Sequence, residues 1–140
     1  MFDNCWALVV EADAHSLIAI GAILRDLGVH FKRNTTGSGV VEQALQMQPK
    51  PAFVLLDLNL PHGDAFQIMA AFRSHPTLSS IPVLAIAEDN TRSLASSTRN
   101  AGFSGLLTKP LPRRNLGTLL KRMIIGEQIW QPPLHPAPAR

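Results

Sequence analysis

The chain has 140 residues, of which 46% are hydrophobic, and it carries a formal net charge of +3 with a single cysteine. This length fits one domain with a substantial core, and a lone cysteine excludes an internal disulfide framework and a thiolate metal cluster. No apolar stretch reaches the roughly 18 to 20 residues that span a bilayer, and the first residues lack the pattern of a secretory signal. We therefore expect a cytoplasmic protein that does not contact membranes.

In chain order, the first predicted strand runs from Trp6 to Val10 and is followed by the carboxylates of Glu11 and Asp13. Apolar residues at helical spacing then predict a helix that ends at Gly28. A more polar second strand from Val29 to Thr35 suits a sheet edge. Ser38 is expected to cap the next helix, which runs to about Met47.

The stretch from Phe53 to Leu56 is continuously apolar and leads directly into Asp57, before Pro61 and Gly63 interrupt the chain. Such a run is typical of a central strand in a parallel sheet whose two faces are both covered by helices. Asp57 is therefore placed at the carboxyl end of that strand, where open α/β sheets carry their ligands.

The rest of the chain repeats this alternation. A helix beginning near Asp64 precedes a buried strand over residues 81–87, and a helix over residues 90–101 precedes a strand over residues 103–108. A last helix ends near Gly126. We expect the domain to span residues 1–126 and the proline-rich tail, residues 127–140, to be extended or disordered.

Five strands alternating with five helices predict a doubly wound five-stranded parallel sheet with helices on both faces. We choose the flavodoxin-like strand order 2-1-3-4-5. In that order the ends of the first, third and fifth strands converge, which brings Glu11, Asp13, Asp57 and Lys109 to one rim. Three acids and a lysine at one rim indicate a site for a cation or a reaction.

At this point the sequence resembles the receiver domain of two-component response regulators, over residues 7 to about 125. The order and spacing of the matching segments make the resemblance specific. Those segments are Val9-Val10-Glu11, Leu55-Leu56-Asp57-Leu58-Asn59-Leu60-Pro61 with Gly63-Asp64, Ile81-Pro82-Val83, Ala101-Gly102 and Lys109-Pro110-Leu111.

The resemblance implies that Asp57 accepts a phosphoryl group from a sensor histidine kinase or phosphotransfer protein, and that Lys109 pairs with the phosphate. It also implies a Mg²⁺ site, to which Glu11, Asp57 and the Asn59 carbonyl could contribute. The Lys109-Pro110 peptide is usually cis in that family. Charge neutralisation by a cation and a lysine is what phosphoryl transfer to a carboxylate needs.

Three positions depart from the family pattern. Ala12 stands where a direct metal ligand is usual, Ala87 replaces the hydroxyl residue at the end of the fourth strand, and Leu106 replaces the aromatic switch residue of the fifth. We therefore predict an atypical receiver whose Mg²⁺-dependent phosphorylation is weakened and whose switching is altered.

Simpler interpretations stay open for individual residues. Asp13 is favoured as a helix N-cap over a metal ligand, and Glu11 is balanced between a ligand acting through water and an inherited remnant. For the whole chain, the main alternative is a pseudo-receiver that binds a partner without phosphorylation. A small hydrolase that uses Asp57 as nucleophile is ranked far below, and we expect no enzyme.

Basic residues without aromatic interleaving suggest nucleic acid only weakly, and a solvated face is the favoured interpretation. Unless the chain is a fragment, we expect no output domain after Gly126, so the output is expected to be a surface for another protein. Six cations on the last two helices could form a basic surface for an acidic downstream protein or for a second copy of the chain. They are Arg92, Arg99, Arg113, Arg114, Lys121 and Arg122.

Overall fold

The computed structural model describes residues 2–131 and contains a single parallel sheet in the order β2-β1-β3-β4-β5-β6. The predicted class is confirmed, and the first five strands take the predicted 2-1-3-4-5 order. The strands are β1 (Trp6–Val10), β2 (His30–Asn34), β3 (Phe53–Asp57), β4 (Val83–Ala87), β5 (Gly105–Thr108) and β6 (Ile129–Trp130).

Five helices connect the strands and cover both faces of the sheet. They are α1 (Ala14–Leu27), α2 (Val40–Gln46), α3 (Ala65–Ser74), α4 (Arg92–Ala101) and α5 (Leu116–Ile124). The helix α1 packs with α5 on one face, and α2, α3 and α4 cover the other. None of these helices is long and apolar enough to cross a membrane, in the part of the chain that the structure describes.

Strand β3 lies at the centre of the sheet, and all five of its residues are buried. Its alternate side chains enter the two cores, with Phe53 and Leu55 in one and Val54 and Leu56 in the other. This two-sided burial explains the uninterrupted apolar run, because a strand covered on both faces has no polar side. Asp57, the last residue of the strand, consequently lies at the rim of the core.

The helix ends follow the sequence predictions except at α2. Asp13 caps α1 by accepting a hydrogen bond from the Ser16 amide at 2.8 Å, and Gly28 ends that helix in the left-handed conformation. The predicted Ser38 cap is wrong, because the N-cap of α2 is Gly39, which makes no side-chain capping bond. Asn34 organises this turn instead, donating to the Ser38 carbonyl and accepting from the Gly37 amide, both at 2.8 Å.

The sheet has six strands and not the five predicted. Ile129 and Trp130, which the sequence analysis assigned to the tail, pair in parallel with Gly105 and Leu106 of β5. A two-residue strand has no periodicity for sequence reasoning to detect, and the prolines that follow it obscure it further. Residues 132–140, the remainder of the predicted tail, lie outside the described residues.

Candidate functional site

The site lies where three strands end at the same edge of the sheet. Glu11 follows β1, Asp57 ends β3, and Lys109 follows β5. Strands β1 and β3 are neighbours, with Val10 opposite Leu56, so their carboxylates meet. Strand β4 separates β3 from β5, and the Lys109 side chain spans it. The convergence predicted from the strand order is therefore observed.

The Lys109 ammonium is the cation of this cluster. Its Nζ lies 2.9 Å from Asp57 Oδ2, to which it donates a hydrogen bond, and 2.9 Å from Glu11 Oε1. The contact with Glu11 is an ion pair without hydrogen-bond alignment, which leaves Glu11 Oε1 as a buried oxygen without a hydrogen-bond donor among residues 2–131. One ammonium thus faces two carboxyl groups that are almost fully buried.

Burial and neighbouring charges shift the pKa values of Glu11 and Lys109. The Glu11 side chain is 0% exposed, and its desolvation, together with the neighbouring Asp57 carboxyl, raises the pKa of Glu11 to about 7. Desolvation opposes the charge on Lys109, but Glu11 and Asp57 outweigh it and raise the pKa of Lys109 above its ordinary value. Lys109 therefore stays charged, whereas Glu11 exchanges its proton near neutral pH.

Backbone amides hold the two carboxyl groups from the other side. Glu11 Oε2 accepts from the Asp13 amide at 3.0 Å, and Asp57 Oδ1 accepts from the Asn59 amide at 2.9 Å. Both bonds span two residues along the chain, so the turn after each strand orients its own acid. The cis Lys109-Pro110 peptide implied by the resemblance is present.

A depression of about 370 Å³ opens beside Asp57. Ala12 lies in its wall and offers no ligand atom. Asp13 lines the depression and also caps α1. The N-cap role is therefore compatible with a position at the site. The pKa of Asp13 is lowered by its bonds from Ser16. The lining residues are Ala12, Asp13, Asp57, Asn59, Pro61, Glu88 and Lys109.

Sequence reasoning missed Glu88. Its Oε1 lies 3.7 Å from Lys109 Nζ, and its side chain is 76% exposed. The residue directly follows β4, and an acid at the carboxyl end of a buried strand was the signal that identified Asp57. Glu88 also lines a second cavity of about 650 Å³, which lies between α1 and the segment from Lys109 to Arg113.

The donor set around Asp57 suits a hard cation only in part. Carboxylate and carbonyl oxygens are the ligands that Mg²⁺ prefers, and Asp57, Asp13 and the exposed Asn59 supply them. Glu11 is enclosed and bound by Lys109 and the Asp13 amide. Over residues 2–131 no group of three acidic, histidine or cysteine side chains converges as a metal site.

Ala87 and Leu106, which the sequence analysis predicted as altered switch positions, are apolar and enclosed. Ala87 is 7% exposed at the end of β4, and Leu106 is 0% exposed in β5. Leu106 is opposite Ala85 on one side and Trp130 of β6 on the other. The sixth strand thus pairs with the edge of β5 that carries Leu106.

The six predicted surface cations do not act as one free patch. Arg113 pairs with Asp26 of α1 at 3.1 Å, Arg122 pairs with Glu127 at 3.4 Å, and Arg99 stacks on the Trp130 ring at 4.6 Å from its centroid. Arg92, Arg114 and Lys121 are exposed on α4, in the turn before α5 and on α5. Half of the set therefore has partners within the chain.

The model of the response regulator receiver domain matches residues 7–121. The chain is 28% identical over 122 residues to the signal transduction histidine-protein kinase BarA of Escherichia coli (strain K12). This match covers 87% of this chain and 13% of BarA. It is 32% identical over 82 residues to the response regulator Rcp1 of Synechocystis sp., covering 59% of this chain and 54% of Rcp1. It thus spans a small part of one relative and about half of the other.

A solved structure carries the same fold. The receiver domain of the sensor histidine kinase PA1611 from Pseudomonas aeruginosa PAO1 matches with a TM-score of 0.74 and 25% identity, covering 87% of this chain and 98% of that one. That structure contains a magnesium ion coordinated in its active site cleft.

Proposed function

We propose, from the premise that this chain belongs to the family of response regulator receiver domains, that Asp57 is its phosphoryl acceptor and that its phosphorylation is attenuated. As a receiver, the chain is a module of two-component signalling. The observation that carries the proposal is the ion pair of 2.9 Å between Lys109 Nζ and Asp57 Oδ2 beside an open depression. The carboxylate can be reached there, and a fixed cation is already next to it.

The residues that this chain contributes to the transfer all lie at this rim. A phosphohistidine donor loses its P–N bond while an Asp57 oxygen forms the new P–O bond, and the released imidazole takes a proton from water. Lys109 compensates the negative charge brought by the phosphoryl group, because it stays protonated. The Asn59 amide holds Asp57 Oδ1 and so orients the carboxylate.

Mg²⁺ binding is proposed to be weak. Asp57 and the Asn59 carbonyl would hold the ion. Asp13 lines the same depression and could add a carboxylate oxygen as a ligand. When bound there, Mg²⁺ supplies charge neutralisation for the incoming phosphoryl oxygens. Ala12 removes one carboxylate from the set, and Glu11 is enclosed, so water would complete the coordination.

Altered switching is the second part of the proposal. A modification shifts an equilibrium only when it makes different contacts in the two states. Ala87 has no hydroxyl to follow a phosphoryl group, and Leu106 has no ring to reorient and is paired with β6 in the sheet. The same two residues favour the alternative of a pseudo-receiver that binds its partner without phosphorylation.

The proposed partners are a sensor histidine kinase or phosphotransfer protein as donor and a protein as output. The similarity to BarA, which is itself a histidine kinase, supports the first. For the second, Arg92, Arg114 and Lys121 remain available for an acidic partner or for a second copy of the chain. We propose no direct nucleic-acid contact and no catalytic turnover, and a cytoplasmic location that rests on the lone, buried Cys5.

The test is phosphorylation by a small phosphodonor with Mg²⁺, followed by intact mass. We expect slow addition of one phosphoryl group to the wild type, none to Asp57→Ala, and several-fold tighter Mg²⁺ binding and faster phosphorylation in Ala12→Asp. Ala70→Asp, which makes the same substitution at an exposed position of α3, is the control for added charge. Rapid phosphorylation with tight Mg²⁺ binding in the wild type would contradict attenuation, and no phosphorylation of Ala12→Asp would favour the pseudo-receiver.

A further inference from the structure

The sixth strand pairs with β5 at a position where Gly105 leaves space for its backbone. The Ile129 amide donates to the Ser104 carbonyl at 2.8 Å, and the Gln131 amide approaches the Leu106 carbonyl at 3.4 Å. Gly105 lies opposite Ile129, and a Cβ at this position would collide with the Ile129 carbonyl. Glycine weakens a strand interior unless a backbone approaches closely, and here β6 is that backbone.

Both faces of β6 are anchored. Ile129 is 4% exposed and belongs to the core beneath α1 and α5. Trp130 packs on the opposite core, where its ring lies against the Arg99 guanidinium of α4. A cation over an indole contributes to this docking beyond the buried area alone. The strand therefore links the edge of the sheet to α4.

Gln131 connects β6 to the end of β5 and to the loop after β4, both next to the Asp57 site. Its Oε1 accepts from the Thr108 amide at 2.7 Å and from the Thr108 hydroxyl at 3.2 Å. Its backbone carbonyl accepts from Asn90 Nδ2 at 3.0 Å. Thr108 directly precedes Lys109, and Asn90 lies two residues after Glu88, the second acid near the Lys109 ammonium.

Asn90 is the least satisfied member of this link. The residue is 0% exposed, and its Oδ1 has no hydrogen-bond donor within the described range 2–131. A buried amide that is bonded on one side only costs free energy. The Asn90 end of the link is therefore held less firmly than the Thr108 end, where Gln131 accepts two hydrogen bonds.

We propose that β6 and Gln131 form a latch whose docking is coupled to occupation of the Asp57 site. This inference rests on the proposed function, because a phosphoryl group at Asp57 is the ligand that would pull Lys109 and repel Glu88. A movement of Lys109 would displace the adjacent Thr108, and a movement of Glu88 would displace Asn90, two residues later. Thr108 and Asn90 both hydrogen-bond to Gln131, so either displacement would reach β6. The latch would thus supply a response where Ala87 and Leu106 cannot. Because coupling is reciprocal, docking of β6 changes the affinity of the site by the same factor.

The test uses Trp130 as reporter in a Trp6→Phe background, since the chain has two tryptophans. Mg²⁺ with beryllofluoride, a mimic of the phosphoryl group, is titrated while Trp130 emission and the heat of binding are recorded. We expect emission to change with the same midpoint as the heat, and Gln131→Ala to shift the affinity about fivefold. Gln46→Ala, an exposed glutamine on α2, is the matched control. Binding without an emission change, and with Gln131→Ala equal to the control, would overturn the latch and leave the proposed function standing.

A second measurement needs no ligand. Amide exchange of Ile129 is compared with that of His30, whose amide bonds to the Cys5 carbonyl at the opposite edge of the sheet. Lys109→Met should change the ratio of the two rates about fivefold, because it alters the site that the latch senses. An unchanged ratio would refute the latch. If beryllofluoride does not bind at all while this ratio changes, the proposed function fails and the link between the site and β6 is upheld.

Discussion

The two halves of the sheet's carboxyl edge are held together by different chemistry. At the ends of β1 and β3, Glu11 and Asp57 meet the ammonium of Lys109, so charge dominates. At the ends of β4 and β5, Asn90 and Thr108 meet Gln131 through neutral hydrogen bonds. Lys109 and Thr108 are adjacent in the chain, so the two halves share a boundary.

This difference divides the edge into a charged half and a neutral half. In the charged half two buried carboxyl groups share one cation, so removal of Lys109 would leave both of them buried without it. The neutral half is held by hydrogen bonds between uncharged polar groups and by the pairing of β6 with β5. The predictions below test this division from its largest expected effect to its smallest.

Lys109→Met should be the most damaging substitution. It leaves the carboxyls of Glu11 and Asp57 buried without their cation, and breaking a buried pair in this way costs about 3 to 5 kcal/mol. Urea unfolding at pH 8 measures the loss. Lys121→Met, on the exposed face of α5, should stay close to wild type. Equal stabilities of the two variants would show that the charged half does not depend on its lysine.

Stability should fall with rising pH because of Glu11. Its pKa is raised from 4.5 to about 7, so the folded protein holds a proton that the unfolded chain has already released. The contribution is complete below pH 4.5 and is lost as the pH rises towards 7, by about 3 kcal/mol at most. Glu11→Gln should flatten this slope in urea unfolding at a series of pH values. A slope unchanged by the substitution would contradict the assignment.

Gly105→Ala tests the neutral half. The new methyl group collides with the Ile129 carbonyl and crowds Leu84, and overpacking of this kind costs about 1 to 3 kcal/mol. The substitution is made both in the full chain and in a chain that ends at Gln128. The shorter chain lacks the Ile129 carbonyl but keeps Leu84, so the destabilisation caused by Gly105→Ala should be smaller there. An equal loss of stability in the two chains would mean that Gly105 is not in close contact with the backbone of β6.

Asp57→Asn should have the smallest effect, within about 1 kcal/mol of wild type. The amide keeps an oxygen for the Asn59 amide, and its neutral group no longer repels Glu11, which offsets the lost pairing with Lys109. Thermal unfolding checks this. A clear fall in Tm would indicate that Asp57 serves the fold and not only the site.

Much of the rim could be predicted from local patterns. The apolar run into Asp57 indicated a central strand, and the alternation of elements predicted the strand order that brings Glu11 and Lys109 to it. Glu88 was not predicted at the rim although it directly follows β4, because its proximity to Lys109 depends on how the loops after β4 and β5 pack. The Ser38 cap was wrong because Asn34, in the preceding strand, organises the turn in its place.

The sequence alone determined the class of fold, the strand order and the identity of the acids and lysine at the rim, since hydrophobic period and strand ends are local properties. Only the tertiary structure decided that one ammonium serves two carboxyls, that Asp13 both caps α1 and lines the depression, and that Ile129 and Trp130 close the edge of β5. These features depend on groups far apart in the chain. A strand of two residues is stabilised by its pairing with β5, where Gly105 leaves room for the Ile129 carbonyl, and not by its own propensity.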